Sequence, residues 1–398
     1  MLRPERCAAI LDDVLIYEVL VRLPANGCGC FRRSWRAGIT GASFVRRHLE
    51  LSRTRPPSVL AVPREVDPLD DYATSTEISF HRLMLPPAPA PGTTETELIF
   101  EKAWPEGITR RIAPTHCDGL VAIATATDRV FVCNPATGEF VALPLGRHNA
   151  ELQDRDLLVP PVALGFDRWR NCYVVGRYFY RAYGEKSFNN VTGEYSQDYD
   201  IGQEVFTIGA GSWELTQDPP HAVGILMPMC TRRAFYWHSD VPKPRLMRFS
   251  LQGRTFAVVS RPPVGRDHLS VHEMVDLDGK LCYVHAAAEA SFHVWLADDR
   301  HDELQWSLHC RIDLHPDPNL IYYSRPVISD GGKMLFRAAG EYSYNHLFWC
   351  SVPNNTREKM VDLYTRPDGS KYVGQSQDLL QYVVPYFESL VSLTACNY

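Results

Sequence analysis

The spacing of apolar residues near the start of the chain predicts a short helical segment. Asp12 and Asp13 precede apolar residues spaced by three and four positions: Val14, Leu15, Val19, Leu20 and Leu23. This spacing places the apolar side chains on one helical face, and acidic residues favour the start of a helix. The helix should end at Leu23, because the residue before Pro24 avoids the α region.

Two further helical patterns follow within the first 52 residues. One covers residues 31–39, and the other begins near residues 41–43 and contains Phe44, Val45 and Leu49. Prolines then dominate residues 53–97, where they disfavour helices and interior strands. We interpret this stretch as a connector with possible short strands at 59–62 and 78–80, and residues 86–96 as a flexible loop or extended linker.

Residues 98–398 show short β-type runs separated by turn signals. Asp118-Gly119, residues 134–138, residues 278–280 and residues 330–332 are examples of these turns. A unit of turn, strand, turn and strand ending in an aromatic residue recurs about five times. Its spacing of roughly 40–55 residues is typical of four-stranded propeller blades.

The pattern therefore predicts a small all-α module followed by an all-β domain, which we expect to be an irregular β-propeller. A pair of β-sandwiches is the alternative. The propeller is favoured because a sandwich has no reason to repeat the same unit.

Composition limits the class of protein and the compartment that we expect. Hydrophobic residues make up 45% and charged residues 22% of the 398 residues, as in soluble globular proteins. An apolar run of about 20 residues, which a membrane span needs, is absent, and so is an apolar N-terminal signal. We expect a cytoplasmic or nuclear protein that does not bind membranes.

Charge is uneven along the chain, whose net charge is −6. Residues 1–55 hold ten arginines and five acidic residues. A basic segment of this kind could indicate nucleic-acid binding, but no continuous basic stripe extends beyond it. We interpret the arginines as the exposed faces of short helices and expect no nucleic-acid partner.

The sequence gives no sign of catalysis or of a cofactor. The 11 cysteines are scattered, and Cys28-Gly29-Cys30 has no second pair to complete a zinc site. Residues 209–213 lack the closing glycine of a nucleophile elbow, and no phosphate-binding loop occurs. We therefore expect no enzyme activity, metal or cofactor; a metal-dependent propeller enzyme is the hypothesis that bound metal would support.

Two ordered series of short motifs resemble one family, the plant F-box proteins with an F-box-associated domain. The N-terminal series lies at residues 10–15, 18–25, 34–36 and 44–49. The C-terminal series lies at residues 117–120, 132–139, 164–167, 211–213, 235–237 and 277–282. The resemblance implies an F-box-like module over 1–52, a connector over 53–97 and a propeller-like associated domain over 98–398.

This resemblance also implies a division of labour. The F-box would bind a Skp-type adaptor, and through it a cullin–RING ligase, while the β domain would bind a target protein for ubiquitination. Helix residues can bury apolar anchors in a partner's groove. The candidate adaptor-binding residues are Leu11, Val14, Leu15, Val19, Leu23, Pro24 and Trp35. Leu20 of the same helical face and Trp35 also suit the module's own core, whereas Leu11, Val14, Leu15, Leu23 and Pro24 suit the interface better.

One segment departs from the family pattern. Residues 25–34 are shorter than expected by roughly one helical turn and contain Gly27 and Gly29, each of which costs about 1 kcal/mol in a helix. The alternative function is therefore a propeller binding protein whose F-box no longer assembles into a ligase.

The candidate substrate-binding segment is Tyr178–Asp200, which is long, aromatic and polar. Loops on one propeller face are the usual place for such a function. The candidate contact residues are Tyr178, Tyr180, Tyr183, Phe188 and Tyr195. A hairpin extension without a binding role explains the same composition equally well.

Overall fold

The fold is almost entirely β. In the computed structural model of this protein, the described residues are 20–23, 39, 41–55, 58–62, 74–84, 96–109, 112–149, 159–185, 187–224, 226–239, 244–264, 272–277, 279–288, 291–300, 303–313, 323–339, 345–354, 356–362 and 382–394. None of the helices within these ranges has the length and apolar character of a membrane-spanning segment.

The N-terminal elements are a short 3-10 helix, one α-helix and three strands. They are the 3-10 helix Leu20–Arg22, α1 (Ala42–Ser52), β1 (Ser58–Val62), β2 (Thr74–Met84) and β3 (Thr96–Thr109). Helix α1 confirms the third predicted helical pattern. The predicted helix over 31–39 lies outside the described residues except for Ile39, and so does the predicted loop over 86–96 except for Thr96.

Five four-stranded antiparallel sheets follow in chain order. Blade one contains β4 (Ile112–Cys117), β5 (Leu120–Thr125), β6 (Val130–Asn134) and β7 (Glu139–Ala142). Blade two contains β8 (Ala163–Asp167), β9 (Cys172–Tyr183), β12 (Tyr199–Thr207) and β13 (Glu214–Leu215), with the hairpin β10 (Ser187–Asn189) and β11 (Glu194–Ser196) inserted between β9 and β12. Blade three contains β14 (Met229–Cys230), β15 (Ala234–Ser239), β16 (Arg245–Ser250) and β17 (Phe256–Val259).

The remaining blades complete the series. Blade four contains β18 (His272–Leu277), β19 (Lys280–Ala288), β20 (Ser291–Asp298) and β21 (Gln305–Asp313). Blade five contains β22 (Tyr323–Asp330), β23 (Lys333–Ala339), β24 (Asn345–Ser351) and β25 (Thr356–Asp362). Blade six has the order β26 (Tyr382–Tyr386), β1, β2, β3, so a late strand of the chain pairs with the first.

The six sheets form a closed propeller. The innermost strands β4, β8, β14, β18, β22 and β26 contact one another in that order, and β26 contacts β4. A closed ring of sheets excludes the alternative of two sandwiches and confirms the propeller prediction. The five predicted repeats correspond to blades one to five. The propeller starts at Ser58, not at the predicted boundary of residue 98, because β1, β2 and most of β3 belong to blade six.

The core is divided among the interfaces between blades. Each of six buried apolar clusters lies between two neighbouring blades. A middle strand is therefore covered on both sides, and strand Leu120–Thr125 is buried along its whole length. Burial on both sides explains why it reads as a continuous apolar run, and not as an alternation of apolar and polar residues.

Candidate functional site

The propeller has two faces that differ in what they carry. We call the end at which β4, β8, β18 and β22 finish the helix face, because helix α1 contacts the blade-one turn there through Arg53 and Asp118. We call the opposite end the hairpin face, because β9 runs away from the helix face and leads into the hairpin β10–β11. The helix face carries the last helix of the F-box-like series, and the hairpin face carries the outer part of the predicted substrate-binding segment.

A central channel runs between the innermost strands, but it is small. Its cavity volume is ≈ 80 Å³, and Pro114, Pro326 and Pro385 are among the lining residues. Proline is tolerated in these strands because it removes a backbone donor where one strand edge has no neighbour. The cavity has room for several waters and is smaller than the ~300–1,000 Å³ of typical ligand pockets.

The described side chains include few groups with the properties of a reactive or metal-binding site. No group of three or more His, Cys, Asp or Glu among them could hold a metal ion. Burial raises the pKa of the Cys310 thiol to about 11, and burial also raises the pKa of Cys117, Cys230 and Cys282. Thiols with raised pKa values are protonated at neutral pH and therefore poor nucleophiles.

Helix α1 is held on the helix face by its apolar side. Phe44 is completely buried against Leu20 and Val21 of the 3-10 helix. Val45, one position along the helix, belongs instead to the cluster between blades one and two. Leu20 is thus internal, as the sequence indicated. The end of the F-box-like series and the propeller share one continuous apolar contact.

Polar contacts fix the same junction. The ring of His48 is fully buried, and its Nε2 donates a hydrogen bond to the Leu23 carbonyl at 3.0 Å. The Arg55 guanidinium donates to the carbonyls of Arg22 and Leu23 at 2.9 and 3.0 Å. Its other nitrogen lies 3.4 Å from the Glu388 carboxylate, which also binds Arg82. The 3-10 helix, α1 and blade six are therefore tied to each other.

Residues 387–394, which we call the strap, form the seat of this helical segment. Asn134 Nδ2 donates hydrogen bonds to the carbonyls of Ser389 and Val391 at 2.9 and 2.8 Å. Glu139 accepts two more, from Ser392 Oγ at 2.8 Å and from the Leu393 amide at 2.7 Å. Leu390 contacts both the 3-10 helix cluster and the blade-one cluster. The strap thus lies between the helical segment and the propeller.

The buried histidine gives this junction a pH dependence. Burial lowers the pKa of His48 below its ordinary 6.5; Arg55 lowers it further, whereas the Leu23 hydrogen bond and Glu388 oppose the shift. Folding holds a base neutral when it lowers the pKa of that base. The stability that the neutral His48 contributes to the folded state is therefore present above pH 6.5 and is lost as the pH falls below that value. As the pH is lowered from about 7.5 to about 5.5, we expect the denaturation midpoint of the wild type to fall more than the midpoint of His48→Gln.

Glutamine is the matched control because it keeps an N–H donor for the Leu23 carbonyl but cannot titrate in this range. Denaturant titrations of both full chains at each pH provide the measurement. A constant difference between the two midpoints across the range would contradict the expectation.

One of the predicted adaptor-binding residues, Leu23, lies among the described residues. Leu11, Val14, Leu15, Val19, Pro24 and Trp35 lie outside the described residues. Leu23 is half-buried and packs against the cluster of the 3-10 helix and α1. The Leu23 carbonyl accepts the hydrogen bonds from His48 and Arg55 at the junction.

The predicted substrate-binding residues separate into core and surface. Tyr178 and Tyr180 are 2% and 1% exposed, respectively. Tyr178 packs edge-on against Trp237, and Tyr180 OH exchanges hydrogen bonds with the backbone of Val223 at 3.0 Å. Both rings therefore belong to the core between blades two and three and are not available for contacts at the surface.

The outer part of the same segment is a formed hairpin. Phe188 pairs with Tyr195 across β10 and β11 and is half-exposed, and Val191 at the tip is almost fully exposed. Asn189 Oδ1 accepts hydrogen bonds from the amides of Val191 and Thr192, which orders the tip. Tyr183 is half-buried against Tyr180, and the side chain of Tyr195 lies outside the described part.

Sequence reasoning missed the residues that join the helical segment, the strap and the propeller. Arg53, Arg55 and Glu388 make pairs that span tens to hundreds of positions. Asn134 had a local signal, since it starts a recognisable turn, but its partners in the strap did not. No periodic pattern reveals contacts of this kind.

Comparison with known proteins decides the family. A family profile for the F-box associated beta propeller domain matches residues 105–393, which is well over half of the chain. The chain belongs to this family. The match begins within β3, so the F-box associated beta propeller of this protein includes two complete strands, β1 and β2, that precede the matched region.

Relatives of this F-box associated protein come from Arabidopsis thaliana. An F-box/LRR-repeat/kelch-repeat protein is 24% identical over 419 aligned residues, covering 99% of this chain and 100% of the relative. An F-box/LRR-repeat protein is 23% identical over 303 residues, covering 71% of this chain and 63% of the relative.

The chain also has a low similarity to a solved structure. TolB from Acinetobacter baumannii is 12% identical with a TM-score of 0.43, covering 77% of this chain and 64% of that chain. The propeller assignment rests on the closed ring of sheets.

Proposed function

We propose that this protein is a substrate-recognition subunit of a Skp–cullin–F-box ubiquitin ligase. Its N-terminal segment would bind the Skp-type adaptor, and its propeller would bind a target protein for ubiquitination. The family match and the F-box names of the relatives support this proposal. As a member of such a complex it would act in the cytoplasm or nucleus, without catalysing a reaction itself.

The observation that carries the proposal is the buried junction between helix α1 and the propeller. Phe44, Val45 and His48 come from the F-box-like series, and all three are buried at the junction. A receptor must hold its target at a fixed position relative to the modifying enzyme, since misplacement of reacting groups slows transfer strongly. A helical segment clasped to the binding domain supplies such rigidity.

The two faces suggest where each partner would bind. The adaptor would approach the helix face, where the helical segment is seated. The hairpin face carries the projecting hairpin, whose exposed Phe188 and Val191 offer apolar contact to a target. Scattered exposed apolar residues are common on surfaces, so the support here comes from their position on an ordered tip.

Binding to a purified Skp-type adaptor tests the proposal. We expect the wild-type full chain to bind and the double variant Leu15→Asp, Pro24→Ala to lose binding, because a charge would replace an apolar anchor of the interface. Leu145→Asp is the matched control, since Leu145 is exposed and follows β7, away from the F-box-like series, and should leave binding intact. A wild-type chain that fails to bind would refute the ligase role.

The second candidate is a binding propeller that no longer joins a ligase. The short, glycine-containing segment 25–34 favours it, because a frayed helix would weaken the adaptor contact. Inserting one helical turn into this segment would restore adaptor binding in that case. Strong binding by the unmodified chain would eliminate it.

A further inference from the structure

Arginine is concentrated in three turns of the helix face. Two of these turns, residues 168–171 and 231–233, follow the innermost strands of blades two and three, and the third, residues 251–255, joins β16 to β17. Together the turns hold five arginines and no acidic residue, although the net charge of the chain is −6. We call this surface the arginine patch; it comprises Arg168, Trp169, Arg170, Arg232, Arg233 and Arg254.

A buried carboxylate holds the arginine patch together. Asp167, the last residue of β8, is completely buried, and its Oδ1 accepts hydrogen bonds from the amides of Trp169 and Arg170 at 3.0 and 3.1 Å. Its Oδ2 lies 2.9 Å from Arg170 Nη1 and 3.3 Å from Arg254 Nη2. Arg170 Nη1 also donates to the Leu251 carbonyl at 2.9 Å. The turns of blades two and three therefore form one ordered surface.

The positive charge of the patch is not balanced from within. Burial, and after it the charge of Arg170, lowers the pKa of Arg254, while Asp167 and Glu214 oppose the shift. Arg168 and Arg232 are exposed and add positive charge to the same turns. Because like charges at close range repel each other, an anion from outside the chain would stabilise this group of cations.

Trp169 gives the patch an apolar contact as well. Its side chain is 40% exposed, and the guanidinium carbon of Arg168 lies 5.7 Å from the centre of its ring. Attraction between a cation and the face of an indole ring holds such a pair in place. Tryptophan and arginine are also the residues that most often supply the binding energy of protein interfaces. The composition of the patch is therefore typical of a binding surface.

We propose that the arginine patch binds an acidic linear segment of a partner protein, in which glutamate or aspartate residues flank an apolar residue. Guanidinium groups bind carboxylates through paired hydrogen bonds, and the apolar residue would pack on Trp169. The arginines are confined to two neighbouring blades, which favours a short peptide over the extended phosphate backbone of a nucleic acid. The proposal concerns neither the strap nor the projecting hairpin, and it does not depend on the ligase role.

Fluorescence anisotropy with the purified full chain tests the proposal. The probe is a labelled peptide with glutamates on both sides of one leucine, and the matched peptide has glutamine in place of every glutamate. We expect the acidic peptide to bind, and to bind more weakly as salt is raised from about 0.05 M to about 0.5 M. The double variant Arg168→Gln, Arg232→Gln should weaken this binding at least about tenfold. Equal binding of the glutamine peptide overturns the proposal.

A second double variant separates the patch from net charge. Arg129→Gln, Arg311→Gln removes the same charge from two exposed arginines of blades one and four, and should keep the wild-type affinity. An equal loss in both double variants overturns the assignment to the patch. So does stronger binding of an oligonucleotide, or of vesicles of anionic lipid, than of the acidic peptide.

Trp169→Ala tests the apolar contact without changing the charge. We expect it to weaken peptide binding about fivefold or more, with the denaturation midpoint in urea close to that of the wild type, because the ring is partly exposed. An unchanged affinity overturns the role of Trp169. The adaptor is absent from all of these measurements, so a chain that fails to bind the adaptor can still bind the acidic peptide.

Discussion

Replacing Arg177 with methionine is expected to lower the free energy of unfolding by about 3–5 kcal/mol, because it removes one partner of a buried ion pair. Arg177 and Glu204 are 3% and 2% exposed, and Arg177 Nε lies 3.0 Å from Glu204 Oε1. Arg177 also lies 3.0 Å from Asp128 and donates to the Arg147 carbonyl at 2.6 Å. Methionine keeps much of the side-chain volume but leaves the Glu204 carboxylate without its cation.

The same strand offers a matched control. Arg181 of β9 also pairs with two carboxylates, Asp200 at 2.7 Å and Asp218 at 3.1 Å, but it is 38% exposed. Exposed pairs contribute about 0–1 kcal/mol, so Arg181→Met should change the denaturation midpoint little. If the two substitutions lower the stability equally in urea titrations, burial of the Arg177 pair does not explain the loss of stability.

Replacing Gly119 with alanine is expected to dislodge the strap and destabilise the protein by several kcal/mol. Gly119 has φ +82°, where a Cβ atom costs about 1–2 kcal/mol. The new Cβ would also lie 2.3 Å from the Phe387 carbonyl oxygen and 2.7 Å from Ser389 Cβ. Forcing atoms into a filled space costs about 1–3 kcal/mol more, and the strap would have to move away from blade one.

Comparison with Gly279→Ala separates the clash with the strap from the backbone strain. Gly279 occupies the same turn in blade four with φ +76°, but a Cβ there meets nothing within 4 Å. It should cost only the backbone strain of about 1–2 kcal/mol. Amide hydrogen exchange of helix α1 is the sensitive readout, since only the blade-one variant disturbs its seat. Equal exchange of α1 in both variants would mean that the strap does not support the helix.

Local chemistry explains why five blades were visible in the sequence. Asp118-Gly119 forms a two-residue hairpin turn in which both residues have positive φ, and Cys117 pairs with Leu120 across it. Such turns favour asparagine, aspartate or glycine at fixed positions, and two-residue turns occupy the same place after β18 in blade four and after β22 in blade five. The sequence pattern did not reveal blade six, because the strands of that blade come from residues 58–109 and 382–386. No local pattern announces a pairing over more than 300 positions.

The binding surfaces were less predictable than the fold. Aromatic and polar composition marked Tyr178–Asp200 as a surface segment, yet Tyr178 and Tyr180 point into an apolar cluster between blades. An aromatic ring with a hydroxyl suits a surface and a core equally well. Whether such a ring is in the core or on the surface depends here on blade three. Trp237 of that blade packs against Tyr178, and the Val223 carbonyl, which precedes the blade, accepts a hydrogen bond from Tyr180.

Closure of blade six has a consequence for how the protein is made. Domains fold as the chain emerges from the ribosome, beginning with the N-terminal parts. Strand β1 emerges early and must wait for β26, and the strap that seats helix α1 follows β26 directly. A product of interrupted translation would carry the F-box-like segment without its seat. Correct seating of that segment therefore requires that translation has passed the last blade.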